Sequence, residues 1–298
     1  MKILRDRVYS EWFWAYMFLG VDIAWSIVFL FYPILRAFLY SFQNFTLENV
    51  GNPQFIGLAN YIKILKDTTG WWYSIKISVL YTLGVVPVGV LLPLGLALLI
   101  NPLDKKSQNF FKAAFYLPGV VSGVVVALVL RWIFYPEVGL INWVLVKFGG
   151  HPQTWYANPD LALFTLILMS WISSHGWGII LYSAALSRIP KSIYEAADID
   201  AASSWTRFWK ITWPLLKPVT LYVVIISIIN SLQNFWGAFF ITRGGPMRAT
   251  EFVNWRIYTT FYMDGNYSLA SAQAVILMLI IAILSVINFK FFGKGVEY

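Results

Sequence analysis

The residues best suited to bind a ligand are polar and aromatic side chains that recur at helical spacing within two strongly apolar stretches. Side chains at positions i, i+4 and i+7 share one face of a helix. Polar groups inside such stretches line a cavity or bond a neighbouring helix. The spacing therefore predicts either the wall of a passage for a polar solute or a set of interhelical hydrogen bonds. The candidates are Ser170, Trp171, Ser174 and Trp177 in the first stretch and Ser227, Asn230, Ser231 and Asn234 in the second.

A charged, alanine-rich segment, residues 187–213, separates these two stretches. Residues 194–202 favour a helix strongly, and Ser192 with Glu195 three positions later predicts a capping box at its start. Two interpretations stay open. The segment either lies on the membrane surface, supported by Trp205 and its neighbouring aromatic residues, or presents small side chains to a partner protein that approaches closely.

Composition places the elements that carry these residues in a membrane. Of the 298 residues, 59% are hydrophobic and 12% are charged, whereas a soluble domain carries about 25% charged residues. The net charge of +8 is interpreted as basic residues flanking membrane spans, and no nucleic-acid partner is expected. The chain has no cysteine, which excludes disulfides and thiolate metal sites.

Residues that would make the chain an enzyme are missing from the sequence. It contains no Gly-x-x-x-x-Gly-Lys-Ser/Thr motif to hold ATP phosphates and no His-Glu-x-x-His zinc motif. Asp198 and Asp200 are two positions apart, so on a helix they point in different directions. His151 and His175 lie in different segments. We therefore expect no catalytic residue, no metal site and no cofactor bound by this chain.

Six apolar segments are long enough to cross a bilayer, which takes about 20 residues per helix. Length identifies them as helices, so we predict an all-α integral membrane protein with a single transmembrane domain over residues 1–298. The first run is too long for a signal peptide and is predicted to be retained. The distribution of lysine and arginine favours two cytoplasmic termini. The predicted spans are 12–42, 74–100, 110–134, 161–186, 214–240 and 270–292.

The segment 187–213 carries the most specific motif in the chain. The motif resembles the Glu-Ala-Ala loop of bacterial ATP-binding-cassette importer permeases, and this resemblance implies their type I fold. Ala201 stands where that family has glycine. If the glycine provides a turn with positive φ, alanine costs stability there; if the position only needs close packing, alanine is tolerated. The matching residues are Glu195, Ala196, Ala197, Asp200, Ala202, Ile211, Pro214 and Pro218.

Further short motifs extend the resemblance over nearly the whole chain. In their order and spacing they are similar to those of the carbohydrate-uptake subfamily, on the maltose F-type side of its permease pair. They are Phe55-Ile-Gly-Leu-Ala-Asn-Tyr61, Phe115-Tyr-Leu-Pro-Gly119, the run from Arg131 to Asn142, and Gly244-Gly-Pro246 followed by Thr250-Glu251.

The resemblance implies the permease subunit of a binding-protein-dependent importer of sugars or oligosaccharides in the bacterial cytoplasmic membrane. Its partners would be a second homologous permease, a dimer of ATPase subunits that binds ATP and magnesium, an extracytoplasmic substrate-binding protein, and membrane lipid. The eight candidates within the apolar stretches would contact the cargo. The ATPase would dock on Glu195, Ala196, Ala197, Asp200, Ala201 and Ala202.

A stand-alone secondary carrier or channel for a small polar solute is the alternative. Such a protein would carry ionisable residues within several spans. Apart from Asp22 and His175, the predicted spans lack them, so the sequence favours an importer that is driven by a separate ATPase.

Overall fold

The structure, a computed structural model, describes residues 2–49, 51–173 and 176–292, and most of these are helical. The first helices are α1 (Lys2–Ser26), α2 (Tyr32–Tyr40), α3 (Ala59–Lys66), α4 (Trp71–Ile100), α5 (Lys105–Val120), α6 (Gly123–Ile133) and α7 (Leu140–Lys147). They are followed by α8 (Pro159–Ser173), α9 (Gly176–Arg188), α10 (Lys191–Ile199), α11 (Ser204–Arg207), α12 (Trp213–Leu232), α13 (Val253–Tyr262) and α14 (Tyr267–Phe292).

Contacts divide the chain into two compact units, and the smaller consists of Met1–Lys66 and Ile257–Ile276. Two short strands in this unit, β1 (Gln43–Asn44) and β2 (Gln54–Phe55), pair in antiparallel fashion. The side-chain amide of Asn60 donates to the carbonyl of Ser41 at 3.0 Å and to that of Gln43 at 2.9 Å. Asn60 therefore fixes the start of this hairpin.

The larger unit consists of Asp67–Arg256 and Leu277–Tyr298. Its apolar core is formed by α4, α9 and α12, through Val90, Leu94, Ala97, Tyr182, Leu186, Leu216 and Val223. Small residues let these helices approach closely. A Cβ atom at Gly178 would lie 2.9 Å from Cβ of Pro93 on α4, and one at Gly176 would lie 2.5 Å from the Phe115 carbonyl oxygen on α5.

Four helices are long and apolar enough to cross a membrane, namely Trp12–Tyr40, Trp71–Ile100, Ser204–Leu232 and Tyr267–Lys290. Two bent pairs raise the number to six if each pair forms one span: α5 with α6, bent by 95°, and α8 with α9, bent by 46°. The predicted span 110–134 is therefore not a straight helix. It breaks at Val121 and Ser122, whose ψ angles of 140° and 135° are not helical. Pro118 and Gly119 weaken the helix just before this break.

The fifth predicted span, 214–240, differs from the structure at both ends. The helix is continuous from Ser204 to Leu232, and the backbone then breaks at Gln233. At the break, the side-chain oxygen of Asn234 accepts a hydrogen bond from the amide of Gly237 at 3.3 Å. An asparagine side chain that bonds the nearby backbone competes with the helix, which explains the early end.

Two prolines explain why the long helices contain wide turns. A π-helical turn at Phe208–Thr212 directly precedes Trp213 and Pro214, and another at Ile27–Phe31 directly precedes Tyr32 and Pro33. A proline ring clashes with the carbonyl four residues earlier. A turn with hydrogen bonds five residues apart relieves this clash and lets the helix continue.

The start of α10 corrects one expectation. Pro190 occupies the N-cap position without a side-chain cap, and the helix begins at Lys191. Ser192 is therefore inside the helix, and the predicted capping box is wrong. The ring of Pro190 holds φ at −59° with ψ at 134°, so the chain leaves α9 and starts the next helix immediately.

Candidate solute passage and coupling segment

A cavity of about 380 Å³ lies in the larger unit between α4, α6, α8 and the segment that follows α12. Residues of α6, such as Val126, make much of its wall apolar. Its polar groups come from Tyr81, Ser170, Ser173 and Asn234. Two of these, Ser170 and Asn234, belong to the polar faces that the sequence predicts. We call this space the first cavity.

A second cavity, of about 160 Å³, is lined by α4, α8, α9 and α12. Val85 and Gly89 of α4 provide its apolar wall. Its other lining residues are Tyr81, Ser170, Trp177, Ser227, Asn230 and Ser231. The predicted polar faces on the two sides of the charged segment therefore meet in one space.

Tyr81 and Ser170 line both cavities, so they form the partition between them. Tyr81 is 5% exposed, and Asn234 lines the first cavity together with Tyr81 and Ser170. The sequence prediction missed Tyr81. A signal was present, because Ser74, Ser78 and Tyr81 repeat the spacing i, i+4 and i+7 within the second predicted span.

Among the described candidates, Trp171 differs from the others in its position. Trp171 lines neither cavity, and its indole nitrogen donates to the Gly84 carbonyl of α4 at 3.0 Å. Its role in the structure is to join α8 to α4. Ser174 lies outside the described residues. Contact between the solute and the candidates that do line the cavities stays a prediction.

Most of the residues on which the ATPase is predicted to dock are exposed. Glu195, Ala196, Asp200 and Ala201 are exposed, whereas Ala197 is 7% exposed. Ala202 is half-buried. Apart from Ile199, which is 86% exposed, the exposed residues from Glu195 to Ala201 are small or acidic, which is the composition expected of a surface for a closely approaching, basic partner.

The turn that ends α10 explains why the permeases that this segment resembles have glycine at the position of Ala201. Ala201 has a φ of +53°. The amide of Ala202 donates to the Ala197 carbonyl at 2.9 Å, and the amide of Ala201 donates to the Asp198 carbonyl at 3.1 Å. These two bonds form a Schellman motif, in which the left-handed residue is usually glycine. Ala201 therefore adopts the backbone conformation for which glycine is favoured.

Two side-chain contacts connect α10 to the long helix that follows. The hydroxyls of Tyr194 and Thr212 hydrogen-bond each other at 2.9 Å, and Thr212 is 5% exposed. Arg207 forms an ion pair with Asp198. α10 is therefore joined to the residues before α12 by side-chain contacts as well as by the connecting loop.

A third cavity, of about 500 Å³, lies beside α7, and its described lining contains none of the predicted residues. Near it, Asn142 organises the loop between α6 and α8. Its amide donates to the carbonyls of Pro136 and Gln153 at 2.6 and 2.8 Å, and its oxygen accepts from the Trp155 indole at 2.8 Å. Asn142 is therefore fully engaged in holding the loop. Within the described residues, no group of three or more His, Asp or Glu side chains could hold a metal ion.

Residues 86–298 match the model of a family described as the binding-protein-dependent transport system inner membrane component. The chain belongs to this family. The arabinooligosaccharides transport system permease protein AraP of Bacillus subtilis (strain 168) is 32% identical over 294 residues, which cover 97% of this chain and 92% of that protein. The sn-glycerol-3-phosphate transport system permease protein UgpA of Salmonella choleraesuis (strain SC-B67) is 29% identical and is covered over the full length of both chains.

Solved structures show the same fold for this family member. A chain of a bacterial ABC transporter involved in the import of the acidic polysaccharide alginate matches with a TM-score of 0.83 and 21% identity, over 99% of each chain. A chain of the bacterial alginate ABC transporter in complex with an alginate pentasaccharide-bound periplasmic protein matches with a TM-score of 0.82 and 21% identity, over 98% of this chain and 99% of that one. The predicted all-α, type I importer permease fold is confirmed.

Proposed function

We propose that the chain is the transmembrane permease subunit of an ATP-driven, binding-protein-dependent importer of sugars or oligosaccharides in the bacterial inner membrane. The observation that carries this proposal is the chemistry of the two cavities. Their described lining contains hydroxyl, amide and indole groups and no acidic or basic side chain. Hydroxyls and amides donate and accept hydrogen bonds as sugar hydroxyls do, and aromatic faces pack against C–H surfaces. A neutral cargo fits this lining better than an anionic one.

The energy for transport comes from outside this chain. The sequence has no phosphate-binding loop, so ATP and magnesium are bound by a partner ATPase dimer. This dimer docks on the exposed face around Glu195, Ala196 and Asp200. A second, homologous permease completes the passage, and an extracytoplasmic binding protein delivers the cargo. Both termini and the charged segment then lie in the cytoplasm.

The mechanism is alternating access driven by movement of α10. The Tyr194–Thr212 hydrogen bond passes this movement to the continuous helix Ser204–Leu232. That helix carries Ser227 and Ser231 of the second cavity. A stand-alone ion-coupled carrier is disfavoured because the described residues that line the two cavities offer no acidic or basic group to bind the coupling ion.

The passage is tested by replacing Asn234 with leucine. Asn234→Leu removes an amide from the first cavity, so sugar uptake into proteoliposomes that contain the whole transporter should fall about five-fold or more, as one lost hydrogen bond to a bound polar group is worth about 1–3 kcal/mol. The control is Asn288→Leu, because Asn288 donates to the Leu284 carbonyl of its own helix and lines neither cavity. Wild-type uptake by Asn234→Leu would remove this residue from the passage.

The coupling role is tested by reversing one charge on α10. Glu195→Lys should prevent the ATPase subunits from co-purifying with the permease, because it places a long basic side chain on the proposed docking face. Glu48→Lys is the matched control, since Glu48 is exposed in the smaller unit. Normal co-purification and transport by Glu195→Lys would contradict docking at α10.

A further inference from the structure

The 243–253 loop follows the π-helical turn Ala238–Thr242 beyond α12. Hydrogen bonds hold this loop against one face of α4. Ser74 donates to the carboxylate of Glu251 at 3.2 Å. One helical turn further, Ser78 accepts a hydrogen bond from the amide of Val253 at 2.9 Å. Ser74 and Ser78 are each 1% exposed or less, so both bonds are made away from water, where an unmade bond is costly.

The third contact on this face is made by Tyr81. The ring of Phe252 packs against the ring of Tyr81 with 4.9 Å between their centroids, and Phe252 is 1% exposed. Tyr81 also forms, with Ser170, the partition between the two cavities, and Asn234 lines the first cavity with them. One aromatic side chain therefore connects the loop to the passage.

Paired charges hold the loop in this position. Glu251, 7% exposed, forms an ion pair with Arg248, and its carboxylate lies 3.6 Å from Arg256. Arg256 also lies 3.8 Å from Asp67, which bonds the amides of Gly70 and Trp71 at the start of α4. The hydrogen bond with Glu251 raises the pKa of Arg248, so this guanidinium stays charged. The network ties the base of the loop to the start of α4.

The tip of the same loop is accessible. Met247 is 87% exposed. Met247 and Arg248 both have positive φ, at 47° and 65°, a conformation that costs free energy in residues with a Cβ atom. The loop therefore combines a buried, paired base with an exposed and strained tip, which a docking protein can reach and displace.

We infer that the 243–253 loop controls the partition between the cavities: while the loop is hydrogen-bonded to Ser74 and Ser78, Phe252 holds Tyr81 in the partition, and a protein that docks on the loop tip releases it. Ser78, Glu251 and Phe252 are then positioning residues that act on the passage through Tyr81. The inference rests on the proposed function, in which that docking protein is the binding protein that delivers the cargo.

The experiment measures access to the second cavity across the partition. The chain has no cysteine, so Ser227→Cys, at a residue that lines only the second cavity, provides the one thiol of this chain, and its labelling is measured on the separated permease. A membrane-impermeant maleimide is added on the side of the 243–253 loop to proteoliposomes that contain the whole transporter. Labelling should be slow in this background and at least five-fold faster when Ser78→Ala removes the hydrogen bond to Val253.

Three further variants separate control of the partition from general loosening of the fold. Ser78→Thr keeps the hydroxyl and should restore slow labelling. Thr82→Ala removes a hydroxyl that bonds the Ser78 carbonyl of the same helix and should leave labelling slow. Tyr81→Phe removes only the hydroxyl of the partition and should accelerate labelling even if Ser78→Ala does not assemble.

Addition of cargo-loaded binding protein decides whether the loop regulates the partition. It should raise labelling of the Ser227→Cys transporter to the rate seen with Ser78→Ala. Equal labelling of Tyr81→Phe and Thr82→Ala, or no effect of the binding protein, would overturn the inference. Either result could occur while wild-type uptake still depends on ATP and binding protein, in which case the proposed function stands. Loss of that dependence in the wild type would instead contradict the proposed function, and the labelling of Tyr81→Phe would still test the partition.

Discussion

Replacing Ala201 with glycine should strengthen the turn that ends α10. The alanine occupies the left-handed position of a Schellman motif, with a φ of +53°. Both bonds of the motif, at 2.9 and 3.1 Å, are already made. The substitution therefore changes the strain at one Cβ atom and leaves the hydrogen bonds as they are.

The size of the effect follows from two opposing terms. An L-residue in the left-handed conformation costs about 1–2 kcal/mol. Replacing alanine with glycine removes this cost, but about 0.5–1 kcal/mol of the gain is offset, because glycine has more backbone freedom in the open segment. The remaining gain of about 0.5–1 kcal/mol corresponds to about a two- to five-fold lower population of the open turn.

Amide hydrogen exchange in the assembled transporter measures this population. Exchange at the amide of Ala202, which donates to Ala197, should be about two- to five-fold slower in Ala201→Gly. Ala196→Gly is the control, because glycine inside a helix costs about 1 kcal/mol relative to alanine and should make exchange faster. Unchanged or faster exchange in Ala201→Gly would refute the assignment of strain to this position.

Two further predictions concern packing and pH. Gly176→Ala should prevent assembly, because its Cβ atom would lie 2.5 Å from the Phe115 carbonyl oxygen; Gly95→Ala, with no atom within 4 Å of its Cβ, should give wild-type yield on size-exclusion chromatography. The hydrogen bond from Ser107 lowers the pKa of Asp104, the N-cap of α5, so its stabilising effect is present above the ordinary aspartate pKa and is lost as the pH falls through the lowered value. Exchange at the Ser107 amide should accelerate in that acidic range, whereas Asp104→Asn, which still caps the helix, should remove this pH dependence.

Most of the helical architecture could be predicted because a span needs little more than length and apolar character. Trp71–Ile100 and Tyr267–Lys290 lie within three residues of the predicted segments at both ends. The 95° bend between α5 and α6 was not predicted, because hydropathy is the same on both sides of the break. Only Pro118 and Gly119 mark it in the sequence, and prolines within α4 do not break that helix.

The candidate site could be predicted where one helix supplies a repeated polar face. Ser227 and Ser231 were identified by their spacing and share the second cavity. Trp171 and Trp177 lie in the same predicted span, but the indole nitrogen of Trp171 donates to the Gly84 carbonyl of α4. Which of two neighbouring indoles faces a cavity depends on the packing partner of its helix, and a single sequence does not contain that information.

The position of the break after α12 links the coupling segment to the passage. A continuous helix of 29 residues from Ser204 to Leu232 is about 43 Å long at 1.5 Å per residue. Near its start Thr212 is bonded to Tyr194 of α10, and just beyond its other end Asn234 lines the first cavity with Tyr81. A helix bends most easily where its backbone hydrogen bonding is interrupted, and Pro218 is the proline inside α12, before Ser227 and Ser231. Under the proposed function, a displacement at α10 is therefore carried by the part of the helix that follows Pro218, and we expect the passage to open or close where that helix ends, near Asn234 and Tyr81.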